Sequence, residues 1–227
     1  MQTGKKTTKN HLFRMVGVAL FCALAYVAML FIHFPVSFLT LDPKDAIITL
    51  CGLCFGPISA LLSSLIVALA EMVTISTTGP YGLLMNFMGT AAFSVTVSLI
   101  YKWRKNLLGA ILGLVSGVLS MTAVMLALNL LVTPHYLHVE VSVVRDMIPT
   151  LLLPFNLVKA VFNASLVLLL YKPVSAALQK VGFLPKSDAK LRLGARTILV
   201  TIAALVLIAA SMIVIFKVLG GSFRFGV

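Results

Sequence analysis

The sequence predicts an all-α integral membrane protein, a bundle of six helices followed by a seventh, C-terminal transmembrane helix. Three observations carry that prediction. Hydrophobic residues make up 60% of the 227 and charged residues only 11%, where a soluble domain has about 25% charged. The apolar residues fall in continuous runs of about 20, the length a helix needs to cross a bilayer, and lack the alternation of a β-barrel strand. The basic residues gather in every second connection between those runs.

The first helix is predicted over residues 12–32, behind the basic flank MQTGKKTTKNHLFR. The flank resembles that of a signal peptide, but the run is long and lacks an A-x-A cleavage site, so it reads as a retained helix. Ala19 and Ala23 on it have the small-xxx-small spacing that admits a close helix neighbour. Residues 33–45, HFPVSFLTLDPKD, form a connection apolar enough to fold back over the bundle. A short second helix, 44–55, stops at Gly56, and Pro57 starts the third, 57–75, as a natural first-turn proline. Ser76-Thr77-Thr78-Gly79-Pro80 is turn chemistry, and the fourth helix covers 80–101. A basic cuff, Lys102 to Lys105, precedes the fifth helix, 107–132, on which Gly109, Gly113 and Gly117 form a double G-x-x-x-G face for helix contact. Residues 133–146 read as a polar loop and 147–171 as the sixth helix. The domain layout is thus a six-helix body to residue 172, a basic cytoplasmic linker at 173–195, a transmembrane helix at 196–218 and a short tail at 219–227.

Charge gives the expected topology. If all seven helices cross, the N-terminal segment, the cuff and the linker share one side and hold 13 of the 18 basic residues, which makes that side cytoplasmic. The N-terminus is then cytoplasmic and the C-terminus extracellular. The net charge of +12 is explained by this asymmetry and does not require a nucleic-acid partner.

The chemistry concentrates on LLLPFNLVKAVFNAS, residues 151–165. Asn156, Lys159 and Asn163 are spaced i, i+3, i+7 and share one helix face. A lysine at mid-membrane costs roughly 2.5–3.5 kcal/mol on insertion scales, so it must face protein, water or a ligand. Asn156 is expected roughly 14 Å in from the outer end of its helix at 1.5 Å per residue. Glu71, Asn86 and Asn129 are expected in the outer halves of helices three, four and five. These residues define a pocket open to the outside, with Met85, Phe87, Phe155 and Phe162 as an aromatic and thioether wall. Several asparagines can match a ring that carries both carbonyls and N–H groups. Taken singly, each asparagine could equally bridge helices.

Other chemistry is weak. The lone Cys51-x-x-Cys54 pair and Cys22 read as small apolar packing residues, and His135 and His138 as solvated loop residues, so no metal site is expected. A P-loop, H-E-x-x-H and G-x-S-x-G are all absent from the sequence, so the chain reads as neither an ATPase nor an enzyme, and no cofactor is expected.

The alanine-spaced first helix, Leu41-Asp42-Pro43-Lys44-Asp45, Gly56-Pro57, Ser76 to Pro80 with Gly82, Met85-Asn86, and Pro154-Phe155-Asn156 with Lys159 and Asn163 together resemble the substrate-binding (S) components of energy-coupling factor vitamin transporters, most closely the riboflavin-specific members. These motifs lie within residues 12–172. The resemblance implies a six-helix bundle in a bacterial cell membrane that captures riboflavin near its outer face. It implies that Asn129, Asn156, Lys159 and Asn163 contact the flavin ring. It implies that the backbone around Thr40 and Leu41 and the Gly79–Gly82 turn close the pocket. It also implies that Ala19 and Ala23 meet a separate transmembrane coupling protein, itself joined to two ABC-type ATPases. Two alternatives stay open: an S component for another vitamin, and a secondary transporter acting alone. The seventh helix departs from the family pattern, which ends after helix six.

Overall fold

The computed structural model describes residues 2–184 and 195–222. It is almost wholly helical: α1 (Gln2–Phe31), a hairpin of β1 (Phe34–Val36) and β2 (Leu39–Leu41), α2 (Lys44–Phe55), α3 (Pro57–Thr74), α4 (Gly79–Trp103), α5 (Leu107–Leu137), α6 (Val141–Met147), α7 (Leu153–Lys180) and α8 (Ala195–Ile213). Among the described residues, six segments are long and apolar enough to cross a membrane, the last of them Thr197–Val218. The protein is a multi-pass membrane protein, and α8 has the length and composition of a seventh helix as expected.

The second helix is the exception in length. Twelve residues span only about 18 Å. Its first nine residues, Lys44 to Gly52, are all buried, and α1, α3, α4 and α7 pack around it. It is the axis of the bundle. The hairpin delivers the chain part-way into the bundle, so a short helix completes the crossing. At its far end the Arg14 guanidinium donates to the Phe55 carbonyl at 2.7 Å, which places that end beside the start of the apolar part of α1. Gly56 then turns the chain with φ of 97°, a left-handed value that favours glycine, and Pro57 starts α3.

Small residues set the close contacts. A Cβ on Gly117 would lie 2.5 Å from Val97 Cγ2 of α4, and one on Gly113 would lie 3.0 Å from the Val97 carbonyl oxygen. The double G-x-x-x-G face is therefore the α4–α5 contact. Ser64 and Ser94 join α3 to α4 through their hydroxyls at 3.3 Å. Phe93, Val97, Leu114, Met121, Leu50 and Val167 fill the centre.

Besides the start of α1, at Gln2 and not at residue 12, three boundaries differ from expectation. The region 133–146 is not an open loop. The fifth helix runs through Pro134 to Leu137, ends at His138 in the left-handed region (φ 55°), and is followed by α6. Within the fifth helix the Thr133 hydroxyl donates to the Asn129 side chain one turn back, at 2.9 Å. The sixth expected helix starts in a π-helical turn, Ile148–Leu152, where the Leu153 N–H reaches the Ile148 carbonyl five residues back. Pro149 lies within the widened turn and Pro154 just after it, and neither has an N–H to donate. The same helix continues past Tyr171 and through Pro173 to Lys180, so the expected linker begins later than residue 173. Residues 185–194 of that linker and most of the tail at 219–227 lie outside the described residues.

The connection 33–45 folds over the bundle as an antiparallel hairpin, with Phe34 opposite Leu41 and Val36 opposite Leu39. Phe34, Val36 and Leu41 are buried against Phe155 and Phe162 of α7.

Replacing Gly117 by valine overpacks the α4–α5 contact and should destabilise the bundle by about 1–3 kcal/mol. Thermal unfolding in detergent measures this as a lowered Tm, and an unchanged Tm would show that the two helices do not meet there.

Candidate substrate pocket

A cavity of about 400 Å³ opens at the hairpin end of the bundle. Its walls are the hairpin, the first turn of α2, the end of α3, the α3–α4 turn, and the neighbouring ends of α4, α5 and α7. Its volume suits a ligand of a few fused rings.

Charge gathers at one side. Lys159 of α7 donates to Asp42 Oδ2 at 3.0 Å and to the Thr40 carbonyl at 2.9 Å. Lys44 donates to Glu71 Oε2 at 2.6 Å and lies 3.9 Å from Asp42 Oδ2. Asp42 therefore sits between two ammonium groups. Asp45 accepts from the Thr90 hydroxyl at 2.5 Å through one oxygen, while the other, Oδ2, is buried without a partner. Charged groups at this depth are tolerable because nearly all their valences are met by one another.

Amides line the adjoining wall, from α5 and α7. Asn156 donates to the Leu152 carbonyl at 2.7 Å and Asn129 to the Met125 carbonyl at 2.7 Å, each one turn back on its own helix. Each tie fixes a rotamer, so the remaining amide edge is held in a defined direction. Met85, Met121, Met125 and Phe155 give the cavity apolar faces, and Tyr81 and Tyr136 stand near its rim.

Of the residues singled out by sequence, Thr40, Glu71, Gly82, Met85, Asn86, Asn129, Asn156 and Lys159 line this one cavity. Leu41, Gly79 and Asn163 do not. Leu41 points into the hairpin's apolar cluster and is fully buried. Gly79, at φ 56°, begins α4, and its side of the chain is open. Asn163 is buried one turn below Lys159. Its amide donates to the Asp42 and Lys159 carbonyls, both at 3.0 Å, and its oxygen accepts the Ala46 N–H at 2.8 Å. It holds the start of α2 rather than facing the cavity. Phe87 and Phe162, expected in the wall, are also outside the lining.

Sequence reasoning did not assign Asp42, Asp45 and Thr90 to the pocket, nor Tyr81 and Tyr136. A signal for the acids was available. Two carboxylates and a lysine beside a helix too short to span must enter the membrane with it, and there they need partners. Ala19 and Ala23 lie far from the cavity and are exposed on the outer face of α1.

Comparison with known proteins identifies the family. Residues 13–171 match the family model described as "ECF transporter, substrate-specific component". The "Riboflavin transporter RibU" of Staphylococcus aureus (strain TCH60) is 29% identical over 178 residues, covering 74% of this chain and 93% of that protein. A solved structure described as "Structure and mechanism of the S component of a bacterial ECF transporter" superposes with a TM-score of 0.62 at 29% identity, covering 73% of this chain and 97% of that one. The family match contains every residue of the cavity lining and stops before α8. The chain belongs to the substrate-specific components of ECF transporters and is a transport subunit rather than an enzyme.

Proposed function

We propose that this subunit captures riboflavin at the extracellular face and delivers it for ATP-driven import by a transmembrane coupling protein and two ABC-type ATPases. The observation that carries the proposal is the cavity itself, with fixed amides on α5 and α7 and a charged group on α7 facing apolar walls. An isoalloxazine ring presents carbonyl and N–H groups along one edge and apolar surface elsewhere. Asn129 and Asn156 can each offer both donor and acceptor, and Lys159 has a third N–H beyond the two given to Thr40 and Asp42. The riboflavin transporter named above supports the choice of vitamin.

Purified protein should quench riboflavin fluorescence. A preparation that is colourless and does not quench would sink the vitamin assignment, and a panel of labelled vitamins would then find the substrate. Lys159→Ala should weaken riboflavin binding about 10- to 100-fold, from the loss of a hydrogen bond to a charged group and the exposure of Asp42 to an unbalanced interior. Titration of the fluorescence measures it, and an unchanged affinity would reduce Lys159 to a support for the hairpin.

The exposed alanine pair on α1 suits the coupling protein, because small side chains let a partner helix approach closely. The eighth helix packs on α7 and leaves this face uncovered. Ala19→Leu with Ala23→Leu should leave riboflavin affinity within about twofold while abolishing uptake by vesicles that contain all components, since a leucine stripe blocks close approach without touching the cavity. Ion-driven uptake by this chain alone would instead favour a secondary transporter.

The proposed topology puts the N-terminus in the cytoplasm and the end of α8 outside. The end of α8 lies at the hairpin end, where the Ser222 N–H meets the Pro35 carbonyl at 3.2 Å. Ser222→Cys should therefore react with a membrane-impermeant maleimide added outside intact cells, and labelling only after lysis would reverse the assignment.

A further inference from the structure

The pocket is covered by the hairpin, and the hairpin is held from two sides. On the inner side Lys159 takes the Thr40 carbonyl and Asn163 takes the Asp42 carbonyl. On the outer side stands the end of α8, which lies beyond the family match. There the helix widens into a π-helical turn, Val214–Val218, which turns two successive side chains onto the hairpin. Ile215 is fully buried in one cluster with Phe34, Val36, Leu41, Phe155 and Phe162. The Phe216 ring packs edge-on against Phe34, with centroids 5.6 Å apart and planes at 85°. Beyond the helix, Gly220 turns the chain at φ 65°, Gly221 donates to the Ile215 carbonyl at 2.8 Å, and Ser222 donates to Pro35 on β1. The fit is tight, for a Cβ on Gly221 would lie 2.6 Å from Ile215 Cγ2 and 3.0 Å from Val36 Cγ2.

We infer that the C-terminal end of α8 is a positioning element for substrate capture, clamping the β1–β2 hairpin over the cavity and thereby slowing ligand release. The inference rests on the pocket being a vitamin site only for its kinetic half. Phe38, Leu39 and Thr40 of the hairpin line the cavity, so any ligand leaving by the hairpin must displace them. The contacts on α8 touch the hairpin and α7 but not the cavity, because neither Ile215 nor Phe216 belongs to its lining. Loosening them should thus change how often the cover opens, not what the pocket recognises.

The test uses the full chain in lipid nanodiscs, with two loosening variants and one conservative one. Ile215→Ala with Phe216→Ala removes the apolar hold, Gly221→Leu wedges the tail away from β1, and Phe216→Tyr keeps the ring contact. Amide hydrogen exchange of residues 34–41, measured without ligand, should quicken at least tenfold in both loosening variants and stay at the parent rate in Phe216→Tyr, with α4 and α5 equally protected in all. Riboflavin release, followed by the return of its fluorescence on dilution, should quicken about tenfold in the loosening variants, with the association rate changed less. Unchanged exchange at 34–41 in Gly221→Leu overturns the clamp. Faster exchange with an unchanged release rate overturns its part in capture. If the double variant loses protection throughout the bundle, Gly221→Leu decides alone. If the parent protein does not quench riboflavin, the vitamin reading fails, and exchange alone decides whether the clamp exists.

Discussion

The ion pair between Asp42 and Lys159 is the constraint on which the rest of the structure depends. It joins a residue just ahead of α2 to the second turn of α7, 117 positions away in sequence. A lysine and a carboxylate inside a bilayer-spanning bundle are each costly alone, and breaking such a buried pair commonly costs about 3–5 kcal/mol. Each therefore requires the other. Satisfying them forces the connection after α1 inward, sets the depth at which α2 begins, and brings Thr40 and its hairpin across the mouth of the cavity. Lys44 and Glu71 extend the same logic to α3. One electrostatic requirement thus positions hairpin, axis helix and two walls.

The pocket's polarity is asymmetric for the same reason. At the hairpin end, charges and amides from α2, α3, α5 and α7 converge, whereas the bundle centre is filled by Phe93, Val97, Leu114 and Val167. The amides are back-bonded to their own helices, which removes rotamer freedom before any ligand arrives. Such preorganisation favours affinity, because less side-chain entropy is lost on binding.

The helical class was plain in the sequence, since continuous apolar runs admit no other membrane solution that closes its backbone hydrogen bonds without alternation. The polar face of α7 was plain too, because Asn156 and Lys159 are anomalies against their own surroundings. Asn163 shows where that reasoning stops. A shared face fixes direction around a helix but not what stands opposite at each level, and one turn separates a cavity from the Asp42–Ala46 backbone. Asp42 and Asp45 were passed over because acids at the junction of a loop and a helix are ordinarily solvated, whereas here the short α2 carries them into the bundle. Pro134 and Pro173 misled in the opposite direction: each lies near a boundary that composition suggests, yet the helix tolerates both. The π-helical turns leave no local signature apart from the prolines in and just after the first.

The shortness of α2 also determines what kind of barrier lies beneath the cavity. Twelve residues at 1.5 Å each leave about 18 Å of packed protein between the charged floor and the opposite end of that helix. That thickness is solid side chain, with Leu50, Cys51, Phe93 and Val97 each no more than 2% exposed. The hydroxyls buried at the same level, those of Thr49, Ser64, Ser94 and Ser98, donate to carbonyls one turn back on their own helices. Packing this dense opposes a conduit opened by small rotamer changes. A solute held in the cavity therefore meets a packed floor opposite its hairpin cover, and the binding site and the barrier beneath it are built from the same helices.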